Sequence, residues 1–271
     1  GKKEREKILG ILDSKAKLKK LIRDELTADA KKFGDARRSP LVQRQAAQAI
    51  DETELVPSEP MTVVLSEKGW IRAAKGHDVD ASALSYRDGD ALQGAVRARS
   101  TQQVAFLDSE GRAYSTPVHT LPSARGNGEP LTGRFSPAPG TSFVTLASAE
   151  PDTRFVLAST HGYGFVTRFE NLIGRNKAGK AMLNLSSGSS VLTPSMVANV
   201  ATDRIVAVTS SGNLLAIAAN DLPELDKGKG NKIIGIPGER VASREEYLTD
   251  LAVLPAGATL VLQAGKRTLS P

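Results

Sequence analysis

One phrase of sequence recurs five times between residues 63 and 269, and it limits the fold more than any other feature. Each copy joins two short apolar runs through a turn that ends in glycine. The turn glycines are Gly69, Gly111, Gly162, Gly212 and Gly265, and successive ones are 42, 51, 50 and 53 residues apart. Glycine suits these places because hairpin turns commonly need a positive φ. Repeats of about 40–50 residues that contain several short strands are typical of β-propeller blades.

These repeats predict an all-β domain over residues 58–271, a β-propeller of about five four-stranded blades. A single blade cannot bury both of its faces, so neighbouring blades must stack around an axis. The first copy departs from the common pattern, and we expect its blade to be incomplete or to serve as a closure point. The chain stops six residues after Gly265, so we expect the last blade to be truncated in this chain.

Residues 1–57 form a different, more charged region. Apolar residues recur there at helical spacing, which predicts an α-helix over residues 1–33. These residues are Ile8, Ile11, Leu12, Leu18, Leu21, Ile22 and Leu26. Gly34 and Asp35 end the pattern, and a linker or short second helix is expected from there to Pro57.

A loop that combines glycine with positive charge follows each of three consecutive hairpins. Basic loop 1 covers residues 124–128 (ARGNG), basic loop 2 covers residues 174–180 (GRNKAGK) and basic loop 3 covers residues 226–232 (DKGKGNK). The first repeat places its basic segment earlier, at residues 72–78 (RAAKGHD). Because equivalent loops of a propeller project from equivalent points, we expect these segments to form one positive belt along a curved edge.

Such a belt is suited to the phosphates of duplex DNA, which Lys and Arg neutralise without reading sequence. The neighbouring glycines would let backbone N–H groups approach phosphate oxygens, and the curvature would favour bent DNA. The predicted contacts are Lys75, Arg125, Arg175, Lys177, Lys180, Lys227, Lys229 and Lys232. A secondary set comprises Arg72, Arg134, Lys266 and Arg267. The residues alone leave a second interpretation open, in which these loops are ordinary solvated surface.

Charge and composition narrow the possible partners and locations. The net charge is +6, but residues 58–271 hold 22 basic and 20 acidic residues, so a polyanion site there requires basic residues gathered on one surface. The absence of cysteine excludes disulfides, thiolate zinc sites and a cysteine nucleophile. With no apolar run of about 18–20 residues and no signal peptide, we expect a soluble, cytoplasmic protein without a membrane partner.

No constellation of catalytic or metal-binding residues is evident in the sequence. The tyrosines are expected to pack within the repeats: Tyr86, Tyr114, Tyr163 and Tyr247. His77, His119 and His161 fall on different blades at non-equivalent places, so we expect no zinc site. Aromatic residues make up only 4% of the chain and none interleaves with the basic loops, which disfavours stacking of single-stranded bases.

Several segments, taken in order, resemble the A subunits of topoisomerase IV. They are LTADAKKFGDARRSPL (26–41), VLSEKGWIRAAKGHDVDA (64–81), LPSARGNGEPLTG (121–133), GYGFV (162–166), RNKAGKA (175–181), DLPELDKGKGNKIIGIP (221–237) and LPAGATL (254–260). The resemblance covers almost the whole chain. It implies the spiral or broken propeller shared with gyrase A, and it implies that residues 1–33 are the returning helix of the coiled-coil arm before the propeller.

The resemblance also implies a function for the propeller. In this family it binds and bends duplex DNA along its outer edge and presents a DNA segment to the enzyme core for decatenation and supercoil relaxation. The partners would then be the ATPase B subunit, together with the rest of the dimeric A subunit, and a nucleoid-associated location follows. The chain itself would lack the catalytic tyrosine and would need no cofactor, since ATP and Mg²⁺ would be bound by other domains or subunits.

Two alternatives to this assignment stay open. The gyrase A propeller carries a Gln-Arg-Arg-Gly-Gly-Lys-Gly type box that supports strong wrapping of DNA, and basic loops 1 and 3 are sparser than that box. This departure favours topoisomerase IV over gyrase and predicts weaker wrapping. The alternative from another class is a protein-interaction propeller whose basic loops bind an acidic partner.

Overall fold

The structure, a computed structural model, describes residues 1–33, 56–264 and 267–269, with side chains as far as Val261. The chain divides into two compact units, Gly1–Ile50 and Asp51–Pro271. The predicted boundary after residue 57 and the assignment of the first unit to a coiled-coil arm stay predictions. None of the described helices is long and apolar enough to cross a bilayer.

The first unit contains two helices, α1 (Lys2–Leu12) and α2 (Lys15–Phe33). The helix predicted over residues 1–33 is therefore confirmed, but it is interrupted at Asp13 and Ser14. Ser14 is a favourable residue to begin a new helix, because its hydroxyl oxygen can accept from a free N–H of the first turn. The N–H of Lys17 lies 3.5 Å from that oxygen. The predicted linker lies mostly outside the described residues.

The second unit is built from the hairpins that the repeated phrase predicts. Their strands are β1 (Pro60–Ser66) and β2 (Trp70–Lys75), β4 (Gln103–Asp108) and β5 (Arg112–Pro117), β8 (Arg154–Ala158) and β9 (Tyr163–Arg168), β12 (Arg204–Thr209) and β13 (Leu214–Ala218), and β16 (Leu262–Ala264) and β17 (Arg267–Leu269). Four turn glycines have the positive φ that the sequence predicts: Gly69 at 77°, Gly111 at 79°, Gly162 at 86° and Gly212 at 83°. Gly265 lies outside the described residues.

A third strand pairs with the first strand of each of the first four hairpins. These strands are β3 (Leu92–Arg99), β7 (Phe143–Ser148), β11 (Ser195–Val197) and β15 (Leu248–Leu254). β3 contacts β7 and β11 contacts β15. The four strands lie on the inner side of a propeller-like ring, where Gln93, Val144, Ser195 and Leu251 line a shared cavity of about 440 Å³.

Apolar cores fill the spaces between successive sheets. In β4, Val104 and Phe106 pack into the core between the first and second sheets, whereas Ala105 and Leu107 pack into the core between the second and third. Successive side chains of a strand point to opposite faces, so a strand covered on both faces is a continuous apolar run. This explains why the repeats show short apolar runs rather than alternation of polar and apolar residues.

Each of the first three sheets is completed by a very short strand that returns from the next repeat. β6 (Glu129–Pro130) pairs with β2, β10 (Lys180–Ala181) with β5, and β14 (Asn231–Lys232) with β9. The sheet orders are β3-β1-β2-β6, β10-β5-β4-β7 and β11-β8-β9-β14, so each return strand forms the outer edge. Neighbouring blades thus exchange strands, which the repeat pattern did not predict.

Two expectations about blade completeness need correction or refinement. The irregular first repeat forms a complete four-stranded sheet, because β6 arrives from the second repeat to cover β2. Among the described residues the fourth sheet has three strands, β13-β12-β15, and the fifth repeat is the hairpin β16–β17. Four blades and a further hairpin therefore stand where about five four-stranded blades were predicted.

Candidate nucleic-acid interface

All three basic loops project from the outer edges of neighbouring sheets. Basic loop 1 leaves the edge of β2 after Ser123, which bridges Ala73, and returns as β6. Basic loop 3 leaves the edge of β9 after Glu224, which bridges Val166, and returns as β14. Basic loop 2 returns as β10 against β5 in the same way. The return strands thus place the loops at equivalent points on three successive blades.

Most of the predicted cations on these loops reach solvent. The exposed side chains are Arg125, Arg175, Lys177, Lys227, Lys229 and Lys232. Lys75, at the end of β2, is also exposed, and its ammonium lies 3.7 Å from the carboxylate of Glu59. A surface ion pair of this kind contributes little to stability, so the Lys75 charge can still act on a partner.

The structure corrects the predicted role of Arg72. Its side chain lies on β2 with only 3% of the residue exposed, so it cannot be a surface contact. Its guanidinium donates to the carbonyl oxygens of Gly126 at 2.8 Å and Ser85 at 2.7 Å, and it lies 4.8 Å from the centre of the Tyr86 ring. Arg72 therefore supports basic loop 1 from inside the blade.

Two further predicted contacts, Arg134 and Lys180, use their charges within the protein. Arg134 is ion-paired with Glu129 and donates to the carbonyl oxygen of Thr120 at 2.6 Å. The half-buried Lys180 donates from Nζ to the carbonyl oxygen of Asn171 at 2.7 Å. Each side chain joins the two ends of a basic loop. Arg134 bonds to Thr120 across basic loop 1, and Lys180 bonds to Asn171 across basic loop 2. Lys266 lies outside the described residues, and Arg267 belongs to β17, where side chains are not described.

The last glycines of the basic loops have a structural role that the sequence did not predict. The last glycine before each return strand has a positive φ: Gly128 at 85°, Gly179 at 76° and Gly230 at 77°. A Cβ on Gly128 would lie 2.1 Å from the carbonyl oxygen of Ile71, and one on Gly230 would lie 1.9 Å from that of Gly164. These glycines let the crossing chain approach the preceding blade. These three glycines serve the strand exchange, and an approach of the loop backbone to phosphate stays a prediction.

Backbone hydrogen bonds connect neighbouring basic loops. The N–H of Ser136, downstream of β6, donates to the carbonyl oxygen of Lys177 in basic loop 2 at 2.8 Å. The N–H of Gly228 in basic loop 3 donates to the carbonyl oxygen of Met182, and the N–H of Asn184 donates to that of Gly228, both at 2.9 Å. The segment that leaves one loop therefore holds the next loop, so the three loops form one continuous structure.

Sequence reasoning missed two contacts that shape this surface. The ammonium of Lys229 lies 4.1 Å from the centre of the Tyr163 ring, a cation–π contact between residues that are far apart in the chain. Glu224, just before basic loop 3, accepts hydrogen bonds from Arg154 at 3.0 Å and from Arg168 at 3.3 Å. These bonds, that from Arg154 first, hold the pKa of the Glu224 carboxyl below its ordinary value. No motif indicates either contact, because the partners lie in different repeats.

Two tyrosine hydroxyls are engaged in hydrogen bonds inside their blades. Tyr114 is fully buried and donates to Asp108 Oδ2 at 2.7 Å, and burial followed by this bond raises the pKa of the phenol. Tyr86 donates to the carbonyl oxygen of Ala81 at 2.6 Å. Among the residues with described positions, no group of three or more His, Asp or Glu could hold a metal ion.

Comparisons with known proteins agree with this architecture. A family model described as the DNA gyrase C-terminal domain, a β-propeller, matches residues 154–198 and 203–254. The DNA topoisomerase 4 A subunit of Pseudomonas aeruginosa is 62% identical over 268 residues, which are 99% of this chain and 36% of that protein. Its counterpart in Escherichia coli K12 is 46% identical over 267 residues, 98% of this chain and 35% of that protein. The chain thus spans about a third of these relatives.

Solved structures show the same relationship. The E. coli ParC C-terminal domain is 46% identical, with a TM-score of 0.70, and the match covers 79% of this chain and 86% of that one. The gyrase A C-terminal domain shares the fold with a TM-score of 0.54 at 17% identity, over 83% of this chain and 77% of that one. The chain belongs to the family of C-terminal domains from topoisomerase IV A subunits, which are related to the gyrase A C-terminal β-propeller.

Proposed function

We propose that this chain binds duplex DNA along the outer edges of its first three sheets and bends it without reading its sequence. The observation that carries the proposal is the placement of three basic loops at equivalent points on successive blades, with exposed cations on each. In the longer protein the domain would present a DNA segment to the topoisomerase core, for decatenation and relaxation of supercoils. Its partners would be the ATPase subunit, together with the rest of the A subunit.

Charge and backbone orientation both support phosphate as the ligand. Arg125, Lys177 and Lys227 provide an exposed cation from each of basic loops 1, 2 and 3. Carbonyl oxygens of all three loops accept hydrogen bonds from groups of the protein, as at Gly126, Lys177 and Gly228. Their partial negative charges are thereby used inside the protein and do not offset the exposed cations of the loops. Backbone contacts of this kind carry affinity but no sequence information.

We also propose that the chain contributes no catalytic group. The hydroxyls of Tyr86 and Tyr114 are bonded within their blades, and neither is placed to attack a phosphate. Strand cleavage, and any step that needs ATP or Mg²⁺, would then belong to other domains or subunits of the topoisomerase. The domain would act by holding and curving the DNA that those domains process.

Removal of one exposed cation from each of two loops tests this function. The double variant Lys177→Gln/Lys227→Gln should bind a fluorescent duplex more weakly, and its plot of log affinity against log salt should be shallower by about 1.8. Arg97→Gln is the control, because Arg97 is also exposed but lies on the inner strand β3. Equal effects of the two changes would refute the outer-edge site. Tight binding that is insensitive to salt would favour a protein partner instead.

A further inference from the structure

Two arginines point their guanidinium groups into the basic loops from the strands beneath them. Arg72 of β2 donates from Nη1 to the carbonyl oxygen of Gly126 in basic loop 1 at 2.8 Å. Arg112 of β5 donates from Nε to the carbonyl oxygen of Ala178 at 2.9 Å, and from Nη2 to that of Gly179 at 2.7 Å. Each arginine therefore joins the second hairpin strand of one blade to the loop that crosses over from the next.

The surroundings of Arg72 show that its charge interacts with groups inside the protein. The residue is almost completely buried, and its guanidinium contacts two carbonyl oxygens and the ring of Tyr86. A buried charge is costly unless dipoles or an opposite charge compensate it. Here the carbonyl dipoles of Gly126 and Ser85 provide that compensation, so the guanidinium and the loop backbone orient each other.

A consequence for a polyanion follows from the direction of these carbonyl groups. A peptide carbonyl that accepts from a buried guanidinium points into the blade, which takes its partial negative charge away from the outer surface. In basic loop 3 the same orientation is achieved without an arginine, since the N–H of Asn184 donates to the carbonyl oxygen of Gly228. Basic loop 2 has the corresponding backbone bond, from the N–H of Ser136 to the carbonyl oxygen of Lys177, and Arg112 adds two side-chain bonds beside it. In basic loop 1 the carbonyl oxygen of Gly126 accepts from Arg72.

We infer that Arg72 and Arg112 are positioning residues for DNA binding: they orient basic loops 1 and 2 so that cations face the duplex and carbonyl groups face the protein. The inference rests on the proposed function. Arg72 acts through Arg125, which lies next to the carbonyl group that Arg72 holds. Arg112 acts through Lys177, which precedes Ala178 and Gly179. Neither guanidinium needs to touch a phosphate.

A double-mutant cycle distinguishes positioning from direct contact. Loss of a hydrogen-bonded partner should make Arg72→Gln bind a duplex roughly threefold to tenfold more weakly, with an unchanged salt slope. Arg125→Gln should make that slope shallower by about 0.9, because it removes a phosphate contact. In the Arg125→Gln background, Arg72→Gln should weaken duplex binding much less, since the cation that Arg72 orients is gone. In the Lys227→Gln background, Arg72→Gln should weaken duplex binding as much as it does in the unaltered chain.

Several outcomes would overturn the inference. A shallower slope for Arg72→Gln would make Arg72 a direct contact, and equal costs in both backgrounds would make its effect a general loss of stability. If thermal unfolding shows that Arg72→Gln fails to fold, the same cycle with Arg112→Gln, Lys177→Gln and Lys227→Gln decides the question. If the unaltered chain binds no duplex, the proposed function fails. Hydrogen exchange at Ala124 and Gly126, whose N–H groups donate to Ala73 and Ser123, then tests the orientation by itself: unchanged exchange in Arg72→Gln would refute it.

Discussion

A Cβ atom on Gly111 would lie 2.1 Å from the carbonyl oxygen of Leu183, although 72 positions separate the two residues in the chain. Gly111 ends the turn between β4 and β5 with a φ of 79°, and Leu183 lies two residues after β10, the strand that returns from the third repeat. The N–H groups of Met182 and Leu183 donate to the carbonyl oxygen of Gly111 at 3.1 and 3.0 Å. The turn is therefore also the place where strand exchange is anchored.

We predict that Gly111→Ala destabilises the propeller by more than about 2 kcal/mol, because it combines an unfavourable φ with displacement of the backbone at Leu183. Gly212→Ala is the matched control. Gly212 ends the equivalent turn with a φ of 83°, and a Cβ there would meet nothing within 4 Å. That change should cost only about 1–2 kcal/mol, the penalty for a left-handed conformation. Equal losses in thermal or denaturant unfolding would show that Leu183 does not confine the turn.

The hairpins and their glycine turns could be predicted from the sequence, because both depend on local chemistry. A strand–turn–strand unit of 10–13 residues contains its own apolar runs and its own positive-φ residue. The exchanged strands could not be predicted in this way. β6, β10 and β14 have two residues each, and each pairs with a strand of the preceding repeat. No periodicity exists in two residues, and their partners are set only when the blades stack.

The same limit applies to the predicted DNA contacts: exposure could be predicted for residues in loops but not for a residue whose partners come from other segments. Arg125, Lys177 and Lys227 lie in glycine-rich loops, where exposure is the expected state, and the structure places them at the surface. Arg72 lies in a strand between two buried residues, Ile71 and Ala73. A charged residue in an alternating strand is expected to face solvent, but this strand is covered on both faces and at its edge. Its guanidinium has partners inside only because basic loop 1 and the segment that contains Ser85 fold against β2.

Glu246 should make the stability of the fourth blade depend on pH. Its carboxylate accepts from Asn213 at 2.8 Å and Thr209 at 3.0 Å, and it lies 2.8 Å from Nη1 of Arg240. These contacts, the Asn213 bond first, hold the pKa of Glu246 below its ordinary value. The unfolded chain then takes up this proton at a higher pH than the folded chain. The stabilisation is complete above the unfolded pKa of about 4.3 and is lost as the pH falls through the lowered folded value.

We predict that Glu246→Gln is less stable than the unaltered chain at pH 7, and that the difference shrinks once the pH falls below about 4.3. Glu245→Gln is the control, because the Glu245 side chain is 67% exposed and lies 3.8 Å from the same arginine. Its effect should be small and nearly independent of pH. Denaturant unfolding from pH 3 to pH 7 measures both. A difference for Glu246→Gln that stays constant over this range would contradict the assignment.

The arrangement of the basic loops also predicts the shape of bound DNA. Three contacts on the outer edges of successive blades follow a curve, and a duplex of about 40 base pairs is stiff on this scale, since its persistence length is about 150 base pairs. Energy transfer between dyes on the two ends should therefore increase on binding. The Lys177→Gln/Lys227→Gln variant, at saturating concentration, should bend the duplex less. Unchanged transfer on saturation by the unaltered chain would mean that DNA binds without bending.

The central claim is that exposed cations on the outer edges bind phosphates, and the salt dependence of duplex binding tests it most directly. We would titrate a fluorescent duplex of about 40 base pairs with the chain and follow anisotropy at several salt concentrations. Neutralisation of roughly 4–8 phosphates predicts a slope of about −4 to −7 for log affinity against log salt. A slope near zero, or no binding at low salt, would contradict the claim.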